Sequence, residues 1–308
     1  MKIKRTLEMK EGIYHNCSPR HYHSSHMSTA VNDAGVEYRV PSKSMLSSFA
    51  EDPAKWLTNP PFKKSSAMTE GSLLDDMLLT PADLHKNFLV KPEDAPRRPT
   101  PQQIKAEKKS ETALKSITFW NNFDKKAEGR EVISAQQMIN AKLGVKNLQN
   151  HPICSEMIKQ SHNQTVVIAK YRGHLVKGMF DLFPQDGSDF DDSIIDLKRT
   201  SAFAPQSFRA IIRNFKYHWQ AALYRWLVMQ ATGQDRKIWR FMLSDSETPF
   251  NCGVLRMHED DIARGHREVF AALDRYIDCV EKQEFPSPYD LSSGEELVLK
   301  SFSDAFND

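Results

Sequence analysis

The chain has 308 residues, 40% of them hydrophobic, and its 42 Lys and Arg against 40 Asp and Glu leave a formal net charge of +2. That length and apolar content suffice for a full core in one large or two modest domains, and the balanced charge excludes a generally basic protein. No apolar run is long enough to span a bilayer and residues 1–30 lack the hydrophobic core of a signal peptide, so a cytoplasmic protein without a membrane partner is expected.

Residues 1–40 read as an N-terminal arm carrying His15, Cys17, His21, His23 and His26. Their spacing fits no closed zinc site, and partly buried ring contacts are the expected use. Residues 41–150 read as a helical region contributing to the active-site cleft, clearest over Ser42–Leu57 and Gly71–Leu79. A Pro- and Arg-containing linker follows over Pro92–Gln103, then helical stretches over Gln102–Phe123 and Ser134–Leu148, with Ser134 as N-cap.

Residues 151–290 hold the strand signals. Thr165–Tyr171 and Leu175–Phe183 pair around Arg172-Gly173, joined by Ser193–Leu197 and Lys237–Leu243. A helix over Pro205–Thr232 crosses between the last two, Glu259–Lys282 is a closing amphipathic helix, and residues 291–308 form a solvated tail rich in Ser, Glu and Asp. A sheet with helices on both sides, preceded by a helical region, is an α/β arrangement. The cysteines, Cys17, Cys154, Cys252 and Cys279, contain no C-x-x-C and are expected as reduced thiols.

The chemistry concentrates between Lys177 and Tyr224. Pro184-Gln185-Asp186-Gly187-Ser188 is turn chemistry between two strands, which brings Asp181 close to Asp196. Alternation puts Asp196 and Lys198 on one face, with Ile195 and Leu197 on the other. Two close carboxylates call for a hard divalent cation such as Mg²⁺ or Mn²⁺, and a lysine beside them suits a developing phosphorane charge. Four other [DE]-x-K triplets occur in the chain, starting at Glu8, Glu107, Asp124 and Asp235, so the triplet alone carries no weight and a solvated acidic turn stays open.

Residues 181–196 hold six aspartates and no basic side chain, whereas residues 197–240 hold nine Lys or Arg against the single acid Asp235. An acidic pocket beside a basic track suits a polyanionic substrate, with Arg199, Thr200, Arg209, Arg213, Lys216 and Arg225 as candidate DNA contacts. A helix whose polar face is merely cationic is the alternative. Gln220 and Tyr224, four apart, share one side of that helix.

Together these blocks resemble the RecE-type exodeoxyribonucleases (exodeoxyribonuclease VIII) of the PD-(D/E)xK nuclease superfamily, often carried by phages. The resemblance runs from Gly12 to about Asp290. It includes GIYHN at Gly12–Asn16, SKSML at Ser42–Leu46, Asp52-Pro53-Ala54-Lys55-Trp56, Pro96-Arg97-Arg98, Phe119-Trp120 and Gly129–Ile133. Lys177-Gly-Met-Phe-Asp181, Asp196-Leu-Lys198-Arg-Thr200, Gln220-Ala-Ala-Leu-Tyr224 and Glu247-Thr-Pro-Phe250 complete it in order.

The resemblance implies a restriction-endonuclease-like core, a central mixed sheet flanked by helices. It implies Asp181, Asp196 and the carbonyl of Leu197 as Mg²⁺ (or Mn²⁺) ligands, Lys198 as the catalytic lysine, and Gln220 and Tyr224 as the supporting Gln-x-x-x-Tyr pair. Relatives carry Gly-x-x-x-His on an early helix, the His ligating metal; here Gly71-Ser-Leu-Leu-Asp75 puts an aspartate there. Asp75 replaces that ligand, or Asp75 and Asp76 are surface acids. Glu156 lies where relatives place another acidic site residue. No iron–sulfur cluster is expected, because the two late cysteines are too widely spaced.

The implied activity is degradation of one strand of linear double-stranded DNA, 5′ to 3′, leaving a 3′ single-stranded tail for recombination. The implied assembly is a homotetramer working with a single-strand annealing recombinase. A repair-type or CRISPR-adaptation-type nuclease on single strands or flaps, a catalytically impaired DNA-binding module, and a metal-independent structural protein remain as alternatives.

Overall fold

The computed structural model describes residues 8–58 and 64–288; the expected tail at 291–308 lies outside the described residues. The chain opens with β1 (Gly12–Tyr14), α1 (Pro19–Tyr22) and a ribbon of β2 (Thr29–Val31) and β3 (Glu37–Arg39). Two helices follow, α2 (Lys43–Glu51) and α3 (Pro53–Leu57), within the helical stretch expected over Ser42–Leu57. The break is at Asp52, whose carboxylate accepts from the Lys55 N–H at 3.0 Å while Pro53 takes the first helical position. An N-cap aspartate followed by proline starts a new helix rather than extending the old one.

The helical region comprises α4 (Ser66–Leu79), α5 (Leu84–Asn87), β4 (Phe88–Val90), α6 (Pro101–Lys105), α7 (Glu111–Ala127), β5 (Glu131–Ile133), α8 (Ala135–Asn150) and α9 (Pro152–Lys159). Strands β4 and β5 pair in parallel. Ser134 caps α8 as its sequence predicts, in a box with Gln137 that satisfies two end amides at 3.1 and 2.8 Å.

The remaining elements are β6 (Ser161–Tyr171), β7 (His174–Pro184), β8 (Ser193–Thr200), α10 (Pro205–Asn214), α11 (Tyr217–Thr232), β9 (Ile238–Asp245), β10 (Cys252–Arg256) and α12 (Glu259–Lys282). The central sheet runs β1-β6-β7-β8-β9-β10, antiparallel except for β8 and β9. A parallel pair needs a crossover, which α10 and α11 supply. The expected mixed α/β sheet is therefore present, extended at its edges by β10 and by β1, a strand from the segment expected as an arm.

Both faces are covered. Ile194, Phe180, Trp239, Phe241 and Leu243 pack on one side with α2, α11 and α12, whereas Ile195, Leu197, Leu182 and Met242 pack on the other with α4, α8 and α9. Strand alternation thus puts Ile195 and Leu197 on one face and leaves Asp196 and Lys198 to the face of α11.

The helix expected over Pro205–Thr232 is broken at Phe215-Lys216, where Lys216 adopts φ 51°. No proline or glycine marks the place. Each half follows its own surface: α10 buries Phe208, while α11 buries eight side chains against the sheet and α12. The α11–α12 crossing is close enough that a Cβ on Gly265 would lie 2.1 Å from the His218 carbonyl oxygen.

Gly265→Ala is therefore expected to destabilise the protein. Its gain in helix propensity, about 1 kcal/mol, is outweighed by an overpacking cost of about 1–3 kcal/mol or more, because backbone cannot swing aside. Thermal unfolding should show a melting point lowered by some degrees, and an unchanged or raised value would contradict the packing described.

Candidate active site

The site is built where β7 and β8 meet. The ladder is anchored by Leu182 opposite Ile195. Beside that pair, the Asp181 carboxylate accepts a hydrogen bond from the Leu197 N–H at 2.9 Å. The Lys198 ammonium lies 2.7 Å from Asp196 Oδ2 and donates to the Leu197 carbonyl at 3.2 Å. From α11, Gln220 donates to Asp196 Oδ1 at 2.7 Å and the Tyr224 hydroxyl accepts from the Met179 N–H at 3.3 Å.

Tyr224 can lie this close only because position 178 is glycine. A Cβ there would sit 2.8 Å from both the Tyr224 ring and the Leu227 side chain. The residue type at 178 thereby fixes how far α11 descends onto the hairpin, and so where Gln220 meets Asp196.

Asp75 enters from α4. It lines the same cleft as Asp181, Gln220 and Tyr224, and it feels the charges of Asp181, Lys198 and Asp196. Asp76 is used differently: it accepts from Thr80 at 3.1 Å and from Asn87 at 2.6 Å, tying the end of α4 to α5. Neither is a surface helix acid.

The electrostatics follow from crowding like charges in a poorly hydrated place. Burial and then the neighbouring Asp196 push the Asp181 carboxyl up to about 7. Burial and the Asp181 charge hold Asp75 well above the carboxylate range. Lys198 goes the other way: burial opposes its charge, but Asp196 and Asp181 more than offset it and raise the ammonium. Lys43, on α2, is lowered to about 8 by burial and by Lys198.

Whether these residues suit a divalent cation can be judged from their donors. Asp196 Oδ2 is buried and is ion-paired with the Lys198 ammonium at 2.7 Å, with no other donor on it. Asp75, Asp181 and the Leu197 carbonyl add further hard oxygen donors in the same region. Among the described residues no three acidic, His or Cys side chains stand close enough together to hold a metal ion as they are placed. In donor chemistry the residues fit a hard divalent cation.

The predicted DNA contacts separate into two groups. Arg199 is nearly buried, pairing with Glu70 at 2.7 Å and donating to the Ser246 carbonyl at 3.2 Å, so it ties α4 to β8. Thr200 accepts from the Ala202 N–H at 3.0 Å, and Arg225 makes a two-pronged pair with Asp235 at 2.6 and 2.8 Å. These three serve the fold. Arg209, Arg213 and Lys216 instead line a separate cleft of about 590 Å³.

The cleft of Asp75, Asp181, Gln220 and Tyr224 is larger, about 1460 Å³, and its lining includes Arg20, His23, Lys43, Lys55 and Lys64, none of which sequence reasoning proposed as catalytic, metal or DNA-binding residues. Lys43 lay within the quoted SKSML, Lys55 within Asp52-Pro53-Ala54-Lys55-Trp56, and His23 within the early histidine cluster. Gln164 was missed as well. It is buried, lines the cleft, and adopts φ 45° at the place in the β6–β7 ladder between the pairs Asn163–Leu182 and Thr165–Phe180, opposite Asp181.

Glu156 pairs with Lys159 at 2.8 Å on an exposed helix face and is not in the cleft lining. His15 stacks on His162 at 3.9 Å and hydrogen-bonds Thr165, and Cys17 is buried against the Tyr14 carbonyl.

A pH dependence follows. A carboxyl raised from 3.8 to about 7 contributes stability that is full below pH 4 and lost as pH rises through 7. In EDTA, the wild-type melting point should fall between pH 5 and pH 8 more steeply than that of Asp181→Asn. Equal slopes would mean that Asp181 is not the strained carboxyl.

Residues 42–293 match the model of a family described as a PDDEXK-like domain of unknown function (DUF3799). No curated protein sequence matches the chain. Among solved structures, the chain is similar to a protein from Eubacterium rectale whose crystal structure is described as that of a "putative exonuclease". The identity is 14%, over 95% of this chain and 98% of that one, with a TM-score of 0.55. That likeness speaks for a common fold, in agreement with the mixed sheet and its flanking helices. With the family model spanning most of its length, the chain belongs to the PDDEXK-like family.

Proposed function

We propose that the protein is a metal-dependent deoxyribonuclease that hydrolyses phosphodiester bonds at the site of Asp75, Asp181, Asp196 and Lys198. The observation that carries the reading is the convergence of Asp181, Asp196, Lys198, Gln220 and Tyr224 from β7, β8 and α11, with the Lys198 ammonium 2.7 Å from the buried Asp196 Oδ2.

Asp75, Asp181, Asp196 and the Leu197 carbonyl would hold Mg²⁺ or Mn²⁺, which supplies charge neutralisation and Lewis-acid polarisation of a phosphate oxygen. The other roles belong to the chain. Lys198, kept protonated by Asp196 and Asp181, is suited to stabilising negative charge on the phosphorus centre rather than to taking a proton. Gln220 fixes the Asp196 carboxylate through Oδ1 and so leaves Oδ2 to Lys198. Tyr224, seated over Gly178, holds β7 in place from behind.

The resemblance to RecE-type enzymes supports a finer reading: a 5′-to-3′ exonuclease on linear double-stranded DNA that leaves a 3′ single-stranded tail for recombination. By the same resemblance the enzyme acts as a homotetramer, in phage-type recombination, alongside a single-strand annealing recombinase. The name of the Eubacterium rectale neighbour agrees with exonuclease activity.

Linear duplex labelled at either end, with a closed circular control, tests this in Mg²⁺ and in EDTA. Release of the 5′ label only in Mg²⁺, with the circle intact, is the expected result. Cleavage of circles, single strands or flaps would instead identify another nuclease of the superfamily, and binding without cleavage an impaired module. Lys198→Ala should lower turnover by about 10²–10³-fold while DNA binding persists; wild-type turnover in that variant would remove the lysine from the mechanism.

A further inference from the structure

The basic side chains expected to follow DNA do not line the cleft of Asp181 and Gln220. Arg209, Arg213 and Lys216 line the second cleft, together with Arg264. Between the two clefts stands the elbow formed by Phe215 and Lys216. Lys43, in the lining of the catalytic cleft, donates to the Phe215 carbonyl, while Lys216, in the wall of the second, donates to the Ser47 carbonyl at 3.4 Å.

The elbow is a defined structure. Phe215 N–H is bonded to the Ile211 carbonyl at 3.0 Å and Lys216 N–H to that of Arg213 at 3.1 Å, and α11 then starts with Trp219 N–H on Lys216 at 3.1 Å. A lysine at φ 51° is an uncommon backbone state for a residue with a side chain, here imposed by the turn from α10 into α11.

Its effect is to leave Phe215 outside. The ring is 57% exposed and is the sole aromatic among the exposed large apolar side chains of the described residues. Isolated exposed aliphatic residues are ordinary, but this ring is backed. Tyr217 lies behind it, stacked at 5.9 Å with 21° between planes, and Tyr217 rests in turn on Phe241 at 5.9 Å. One face is supported and the rest is open to water.

The same Tyr217 ring carries the Lys198 ammonium at 5.2 Å and that of Lys43 at 5.4 Å. The two steps from Lys198 through Tyr217 to Phe215, 5.2 and 5.9 Å, span no more than about three base steps at ~3.4 Å of rise each. A base one to three nucleotides from a phosphate held at Lys198 therefore comes within reach of the Phe215 ring.

We propose that Phe215 is a stacking platform for a base of single-stranded nucleic acid next to the scissile phosphate, with that strand's backbone continuing into the cleft of Arg209, Arg213, Lys216 and Arg264. The proposal rests on the nuclease reading of the Asp181, Asp196 and Lys198 site. Every base has an apolar face, so such a platform tolerates any sequence, and a basic groove beyond it holds the phosphates. The cleft keeps a surplus of positive charge, for Arg209, Arg213, Lys216 and Arg264 stand against Asp261 and Glu268, and Glu268 is taken up by Arg264 at 2.7 Å and by His218 and Trp219 at 2.7 and 2.6 Å.

The test is the affinity for a fluorescein-labelled single-stranded oligonucleotide, read by anisotropy in EDTA, for the wild type, Phe215→Ala, Phe215→Leu and Phe215→Trp. Stacking lost at one base weakens binding by about five- to a hundredfold in the Ala and Leu variants, with Trp close to wild type. Leu keeps the apolar bulk, so a Leu variant that melts like the wild type yet binds weakly separates stacking from folding. Wild-type affinity in both Ala and Leu variants, or no single-strand binding by the wild type, would overturn the platform.

Turnover plays no part in this reading. If the wild type cleaves DNA in Mg²⁺ while all four proteins bind alike, the nuclease reading stands and the platform fails. If no DNA is cleaved but Ala and Leu still lose affinity, the platform stands and the nuclease reading fails.

Discussion

Holding Asp75, Asp181 and Asp196 together against their mutual repulsion is the constraint on which the rest of the site depends. Each carboxylate alone would prefer water; burial and then the neighbouring charge push Asp181 up to about 7 and hold Asp75 well above the carboxylate range. Such a cluster persists in a fold only if the surrounding elements are too firmly packed to relax. That firmness is visible on both sheet faces: Ile195, Leu197 and Met242 are locked against α4 and α8, and Phe180 and Phe241 against α11 and α12.

Several features with no chemistry of their own then become intelligible. The Arg199–Glu70 pair joins β8 to α4, and so holds the helix that carries Asp75 at a fixed distance from the strand that carries Asp196. Asp76, with Asn87 and Thr80, fixes the end of the same helix. Breaking an ion pair as poorly exposed as that of Arg199 leaves an uncompensated charge, so its contribution to the site is one of placement.

The hairpin of Asp181 and Asp196 was legible in the sequence because strands alternate. Once Ile194-Ile195 marked a strand, the positions of Asp196 and Lys198 relative to Leu197 followed, and the turn at Pro184–Ser188 brought Asp181 across. The capped start of α8 and the whole of α12 were legible for the same reason, a local signal in the residues themselves. Strand β1 is three residues long and exists only because β6 offers it an edge. The elbow at Phe215-Lys216 has no breaking residue, since tertiary packing alone bends the chain. Arg199 and Arg225 read as free cations because charge runs do not reveal the partner, Glu70 far back in the sequence for the one and Asp235, just past the end of α11, for the other. Lys43 and Arg20 reach the cleft only by the folding of the N-terminal segment over it.

Gln164 brings these strands of argument together. It is a buried non-glycine residue in the left-handed region, in the middle of the longest hairpin and opposite Asp181. Residues in such conformations cost of order 1–3 kcal/mol and persist only where the neighbouring structure over-determines them. Here the neighbours are explicit: the Asn16 and Cys17 amides bond to the Asn163 and Gln164 carbonyls at 3.0 and 2.8 Å, and the ladder resumes at once with Thr165 opposite Phe180. A regular residue at this position would place its side chain on the pleat and continue a flat ladder past Asp181. The left-handed one interrupts that ladder beside the carboxylate while the N-terminal segment secures the distorted backbone from the other side. The segment that looked like an arm in the sequence thus stabilises the distortion next to the acidic centre, which is why its strand, its buried tyrosine and its cleft-lining Arg20 and His23 belong to the architecture of the site.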